Sequence, residues 1–160
     1  MHWKNPPKIK IYEALGALAD GRLREEENER GEKEWRLYSS SGNKFYLIKY
    51  DAKENAIMTN DNGSYWQGYL GYPAIAFLMS IGKIKFQKKC SEILGGIKWK
   101  DVNVRFKNDY QKTIEYCQEL VEKEGESLKD FLKEVESIDK QIKNLKVKKL
   151  GKRLRPPAGY

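Results

Sequence analysis

The residues best suited to chemistry sit in one short segment. Residues 60–73 read Asn-Asp-Asn-Gly-Ser-Tyr-Trp-Gln-Gly-Tyr-Leu-Gly-Tyr-Pro, with Tyr65, Trp66, Tyr69 and Tyr72 interleaved with Gly63, Gly68 and Gly71. Aromatic faces stack on bases, and glycine lets a ligand approach the backbone, so Asp61, Tyr65, Trp66 and Tyr69 form a candidate ligand surface. The competing explanation is a tightly packed turn and helix entry, in which Tyr O–H and Trp N–H groups satisfy buried backbone and Asp61 caps a turn. Residues 55–82 contain no Lys or Arg. That favours packing, because a nucleic-acid groove without cations lacks the phosphate attraction that supplies most non-specific affinity.

Other catalytic constellations are scarce. His2 is the single histidine, which removes Ser-His-Asp and Cys-His catalysis and His-ligated zinc. No dinucleotide, P-loop or HExxH pattern occurs. Carboxylate or lysine chemistry needs no local motif, so an enzyme of unknown type around residues 60–73 stays as a second alternative, with no catalytic residue assigned. Cys90 and Cys117 lie far apart without ligand spacing and read as reduced, half-buried helix residues. No metal site and no cofactor is expected.

Charge points elsewhere. The 160 residues carry 31 Lys and Arg against 23 Asp and Glu, a net charge of +8. Residues 143–155 hold seven basic residues and no acid. Such an arm neutralises phosphates. Its Lys146, Lys148, Lys149, Lys152, Arg153 and Arg155, together with Lys83, Lys85, Lys88, Lys89, Lys98 and Lys100, are the candidate nucleic-acid contacts. A non-catalytic nucleic-acid-binding module is therefore the leading expectation. Its alternative is a protein–protein adaptor, a homodimer or a hetero-complex, through the amphipathic helices of residues 109–146. Lysine-rich ends and solvated helix faces that bind nothing are the bland explanation.

The elements that must position these groups follow from periodicity. Residues 7–20 predict a helix with Ile11, Leu15 and Leu18 on one face. The charged run 24–33 around Gly31 reads as a loop or a solvated helix extension. Strands follow around Trp35 and Leu37, at 45–50, and at 56–59, separated by turn residues at 39–43 and 51–55. The economical arrangement is an antiparallel meander of about three strands. An apolar helix at 73–81 opens on Pro73 and would be the central cover. A short helix around Phe86, Cys90, Ile93 and Leu94 stops at Gly95. Apolar residues then recur from Ile114 to Leu145, and Gly125 with Ser127 and Asp130 predicts two helices, 109–123 and 127–146, folded as a hairpin. The fold class is thus α+β: one globular domain over 1–147, comprising a ββα-like core at 35–82 and a helical region at 86–147, with a mobile basic tail at 148–160.

Residues 35–79 resemble the SWIM zinc-binding module, in which a hairpin leads to a CxC pair and a CxH pair opens a helix. Here the hairpin is 37–48, the first ligand pair falls on Ala56 and Met58, and the second on Gly71 and Pro73 before the apolar helix. None of these can bind zinc. The resemblance implies a ββα core of a DNA- or protein-interaction module held together by aromatic packing. The N-terminal residues carry no apolar signal region, and the longest apolar run is too short to cross a bilayer, so a cytoplasmic protein without membrane contact is expected.

Overall fold

The sequence of helix 9–19 explains the plan of the molecule. Ile9, Ile11, Tyr12, Ala14, Leu15 and Ala17 are all buried, and these residues spread around the whole helix instead of one face. A helix apolar on every side must be enclosed. In the computed structural model, which describes residues 1–158, this helix, α1 (Ile9–Ala19), packs on α2 (Tyr72–Ser80) and is surrounded by α3 (Lys88–Ile93), α5 (Tyr110–Lys123) and α6 (Leu128–Leu145). Helix α2 in turn lies on the sheet, where Phe77 meets the rings of Trp35 and Tyr50 edge-on at 5.4 and 5.3 Å. A short helix α4 (Trp99–Arg105) precedes α5. The protein is a mixed α+β fold.

The sheet has five strands in the order β1 (Leu23–Glu27), β2 (Lys33–Tyr38), β3 (Phe45–Asp51), β4 (Ala56–Thr59) and β5 (Lys148–Lys149). The first four form an antiparallel meander, and β5 runs parallel to β4. Two differences from the sequence expectation stand out. The charged run 24–33, expected to be a loop or helix extension, supplies β1. As an edge strand it needs little apolar content, and cross-strand charge holds it: Arg36 on β2, oriented by its strand neighbour Glu34 at 2.8 Å, lies 3.0 Å from Glu26, and the Tyr38 hydroxyl donates to Glu26. The residues expected to form a mobile tail begin as β5. The Lys148 amide donates to Asn55 O, the Leu150 amide to Ile57 O, and the Lys149 amide to Met1 O. The Lys148 and Leu150 donors satisfy carbonyls along the edge of β4 that would otherwise lack a partner. Further on, the Arg155 carbonyl accepts from Asn60 Nδ2. Residues 159–160 of the expected tail lie outside the described residues.

The predicted pair of C-terminal helices is present as α5 and α6. Asp109 accepts from the amides of Gln111 and Lys112, Ser127 accepts from Asp130, and Gly125 takes the left-handed conformation between them. Their apolar stripe faces inward: Cys117, Val121, Phe131, Val135, Ile138 and Ile142 all belong to the core. Both cysteines are free and buried. Burial raises the Cys90 thiol to about 11 and that of Cys117 to about 12.

Candidate functional site

Residues 60–73 leave β4 and enter α2 through one π-helical turn, Gly63–Gln67. Asp61 builds this turn. Its carboxylate accepts from Thr59 Oγ1 at 2.7 Å, from Ser64 Oγ at 2.7 Å and from the Ser64 amide at 3.1 Å. All three residues are buried. A Cβ on Gly71 would collide with the Asp61 carboxylate, and one on Gly63 with the Tyr69 ring, so both glycines are required by close approach. Asp61 therefore serves the scaffold, as a turn-capping acid does.

The turn sends its aromatic residues in two directions. Tyr65 turns to the C-terminal segment, where Arg153 donates to its carbonyl at 3.0 Å and stacks over its ring at 4.6 Å. Trp66, 68% exposed, stands at the lip of a cavity of about 350 Å³. That volume falls in the range of small-molecule sites. Tyr46, Tyr69, Tyr72, Trp99 and Tyr110 supply further aromatic walls, and Lys10, Glu13, Asn103 and Lys100 supply polar groups.

Helix α1 contributes a buried ion pair. Lys10 Nζ lies 3.3 Å from Glu13 Oε1 one turn along the helix. Burial disfavours the Lys10 charge, but the attraction of Glu13, with the Tyr69 and Tyr110 phenols, more than offsets it and holds the ammonium above its ordinary value. Burial pushes the Tyr69 phenol up to about 12 against the opposing effect of Lys10. Tyr72 is raised further, by burial and then by Glu13. Helix α4 contributes the least ordinary feature: Trp99 Nε1 and Asn103 Oδ1 are both buried without a hydrogen-bond partner. Native proteins leave few such groups. Both residues border the cavity, and the Trp99 indole nitrogen itself packs against Gly16 of α1.

Of the residues singled out by sequence, the cavity gathers Asp61, Trp66, Tyr69 and Lys100, and excludes Tyr65. The other basic candidates are dispersed. Lys83 and Lys85 are exposed after α2. Lys88 lies 3.9 Å from Glu92, and Lys89 lies 2.5 Å from Glu126. Lys98 borders a neighbouring depression, and Lys146 borders one formed with His2, Trp3 and Lys4. Lys148 pairs with Glu54 at 3.4 Å, Lys149 stacks over Trp3, and Lys152 and Arg155 are both exposed beyond β5. Lys10, Glu13, Trp99 and Asn103 escaped the sequence argument. Lys10 and Glu13 did carry a signal, as the two charges within an otherwise apolar helix.

Ala56 and Met58 lie in β4, and Gly71 and Pro73 open α2; all four are buried. Among the described residues no group of three or more His, Cys, Asp or Glu side chains is placed to hold a metal ion, and no helix is long and apolar enough to cross a membrane. A mixed α+β chain with an aromatic, polar cavity between its sheet loops and helices is the class that fold and site define. Residues 3–148 match the family described as Uncharacterised conserved protein UCP014422, and the chain belongs to that family. No curated protein and no solved structure matches it.

Proposed function

We propose that the protein binds a flat, polar, base-like molecule in the cavity between α1, α4 and the Gly63–Gln67 turn. The carrying observation is the aromatic wall of the cavity, formed by Tyr46, Trp66, Tyr69, Tyr72, Trp99 and Tyr110, with Asn103 among its polar residues. A ligand seated there meets ring faces and, from Asn103 and Gln67, amide groups able both to donate and to accept. Nucleobases offer both on one edge and stack on aromatic faces. Lys10 and Lys100 at the cavity suit an electron-rich ligand. The test is a titration with adenosine, guanosine, cytidine and uridine, followed by tryptophan fluorescence. Saturable quenching that weakens about tenfold in Asn103→Leu is expected, since a lost buried hydrogen bond is worth that much. Absence of a response to all four, or identical affinity in the variant, overturns the reading.

Binding of a single-stranded nucleic acid is the second reading, with one base in the cavity and phosphates on the adjoining cations. It draws support from the Gly63–Gln67 turn, which carries Trp66 at the cavity and Arg153 on its Tyr65 side. Oligonucleotides titrated at two salt concentrations separate the readings: phosphate contacts make affinity fall with salt, and deletion of residues 152–160 then flattens the slope while leaving β5 intact. Affinity independent of salt and of that deletion removes the strand and keeps the base. The adaptor alternative has less support, because Ile138 and Ile142 are buried within this chain. Polar substitutions there act on folding.

A further inference from the structure

Two charges of opposite sign meet in the wall of the aromatic cavity. Lys10 and Glu13 both line it, one turn apart on α1, with side chains only 15% and 6% exposed. Every other buried residue of that helix is uncharged. Charges withdrawn from water are costly, and their mutual attraction offsets the loss only when further hydrogen bonds fill the donors and acceptors that remain. The pair itself is loose: Nζ lies 3.3 Å from Oε1, beyond the roughly 2.7–2.9 Å of a strong charge-assisted bond. An ammonium has further donors and a carboxylate further acceptor sites, so one bond between them leaves capacity on both. Lys10 Nζ also stands 5.4 Å over the Tyr110 ring, among the ring faces of the cavity. Two apolar residues of similar volume would serve the packing of α1 as well or better. Packing alone does not account for these charges.

We propose that Lys10 and Glu13 read the hydrogen-bonding edge of the bound base, and that the base is guanine. A cation beside a carboxylate presents one donor and then two acceptors. The complement is a carbonyl oxygen followed by a ring N–H and an amino group, which among the four common bases only guanine carries. Lys10 donates to the carbonyl oxygen, and the Glu13 carboxylate accepts from the ring N–H and the amino group. Adenine and cytosine present an amino group beside an unprotonated ring nitrogen, and uracil lacks the second donor. This assignment rests on the base-binding reading and adds the identity of the base.

The test is calorimetric titration of the full chain with the four ribonucleosides and with inosine, which is guanosine without the amino group. It is repeated in the double variant Lys10→Met/Glu13→Leu, which leaves neither charge orphaned, with thermal melting as a fold control. Guanosine is expected to bind about tenfold more tightly than inosine, the worth of one hydrogen bond to a charged group, and more tightly than the other three. The double variant is expected to melt no lower than the parent and to bind all five alike. Guanosine binding no tighter than inosine, or a preference for another base, overturns the edge assignment and leaves the base pocket standing; this comparison needs no variant. A guanosine preference that survives the double variant removes Lys10 and Glu13 from recognition. No response to any nucleoside overturns the base pocket and the edge assignment together.

Discussion

Two sets of buried polar atoms, one in the turn after β4 and one on α4, differ in one respect. Around Asp61, the carboxylate accepts from a Thr hydroxyl, a Ser hydroxyl and a backbone amide. On α4, the indole N–H of Trp99 and the amide oxygen of Asn103 have no hydrogen-bond partner. Both sets of atoms are polar and buried. The difference separates scaffold from site: a completed network fixes a conformation, whereas an incomplete one holds unspent affinity for whatever completes it. By that criterion Asp61, the acid that sequence alone made prominent, belongs to the framework, and Asn103 is the residue that the base-binding proposal gives to the ligand.

The contrast is sharpest in stability. Asp61→Ala strips three donors of their acceptor, and we expect about 3 kcal/mol of destabilisation, read as a lowered urea midpoint. A loss below about 1 kcal/mol would mean that the turn satisfies itself without the carboxylate. Gly71→Ala forces a methyl group against that carboxylate. It is expected to cost about 2 kcal/mol by overpacking, and Gly71→Ala should be far less harmful when combined with Asp61→Ala; strict additivity would break the proposed contact. A pH titration probes the cavity side. The Tyr69 phenol is raised from 10.0 to about 12, so the neutral form is favoured in the fold. Its contribution is complete below pH 10 and is lost as the pH rises to about 12. Urea midpoints should fall over that window, and less steeply in Tyr69→Phe. The smallest effect is expected at Asn103→Leu. Removing an acceptor that has no partner should change stability by no more than about 0.5 kcal/mol, or raise it, since an apolar group of similar shape replaces an unmet one. A large loss there would place Asn103 in the framework after all.

Much of the framework was legible because it rests on local pattern. The helix caps at Ser127 and Asp109, the Pro73 entry to α2, and the strands at 45–51 and 56–59 all follow from residue types within a few positions. Strand β1 was hidden because Leu-Arg-Glu-Glu-Glu has no alternation, and its partners lie on β2. Strand β5 was hidden because two lysines gain strand geometry only from β4, some ninety residues away. The site was half legible for the same reason. Trp66 and Tyr69 announced themselves by composition. Trp99 and Asn103 sit in an unremarkable stretch, and only the packing of α4 against the loop at 39–41, where the Lys100 amide approaches Ser40 Oγ at 3.4 Å, brings them to the cavity.

The stitching of residues 1–4 and 147–150 against β4 has a kinetic corollary. The meander β1–β4 closes through short hairpins, which form in microseconds. The outer edge of β4 waits for chain segments with far greater loop-closure entropy: Trp3 donates from its indole to Ile57 O, and its amide bonds Val147 O. Until both arrive, a strand whose four residues are all buried in the finished protein presents bare donors and acceptors to its surroundings. Refolding is therefore expected to be biphasic, with a late phase that competes with association and loses yield as protein concentration rises. The few residues that close this seam act as the protein's own guard against edge-to-edge aggregation.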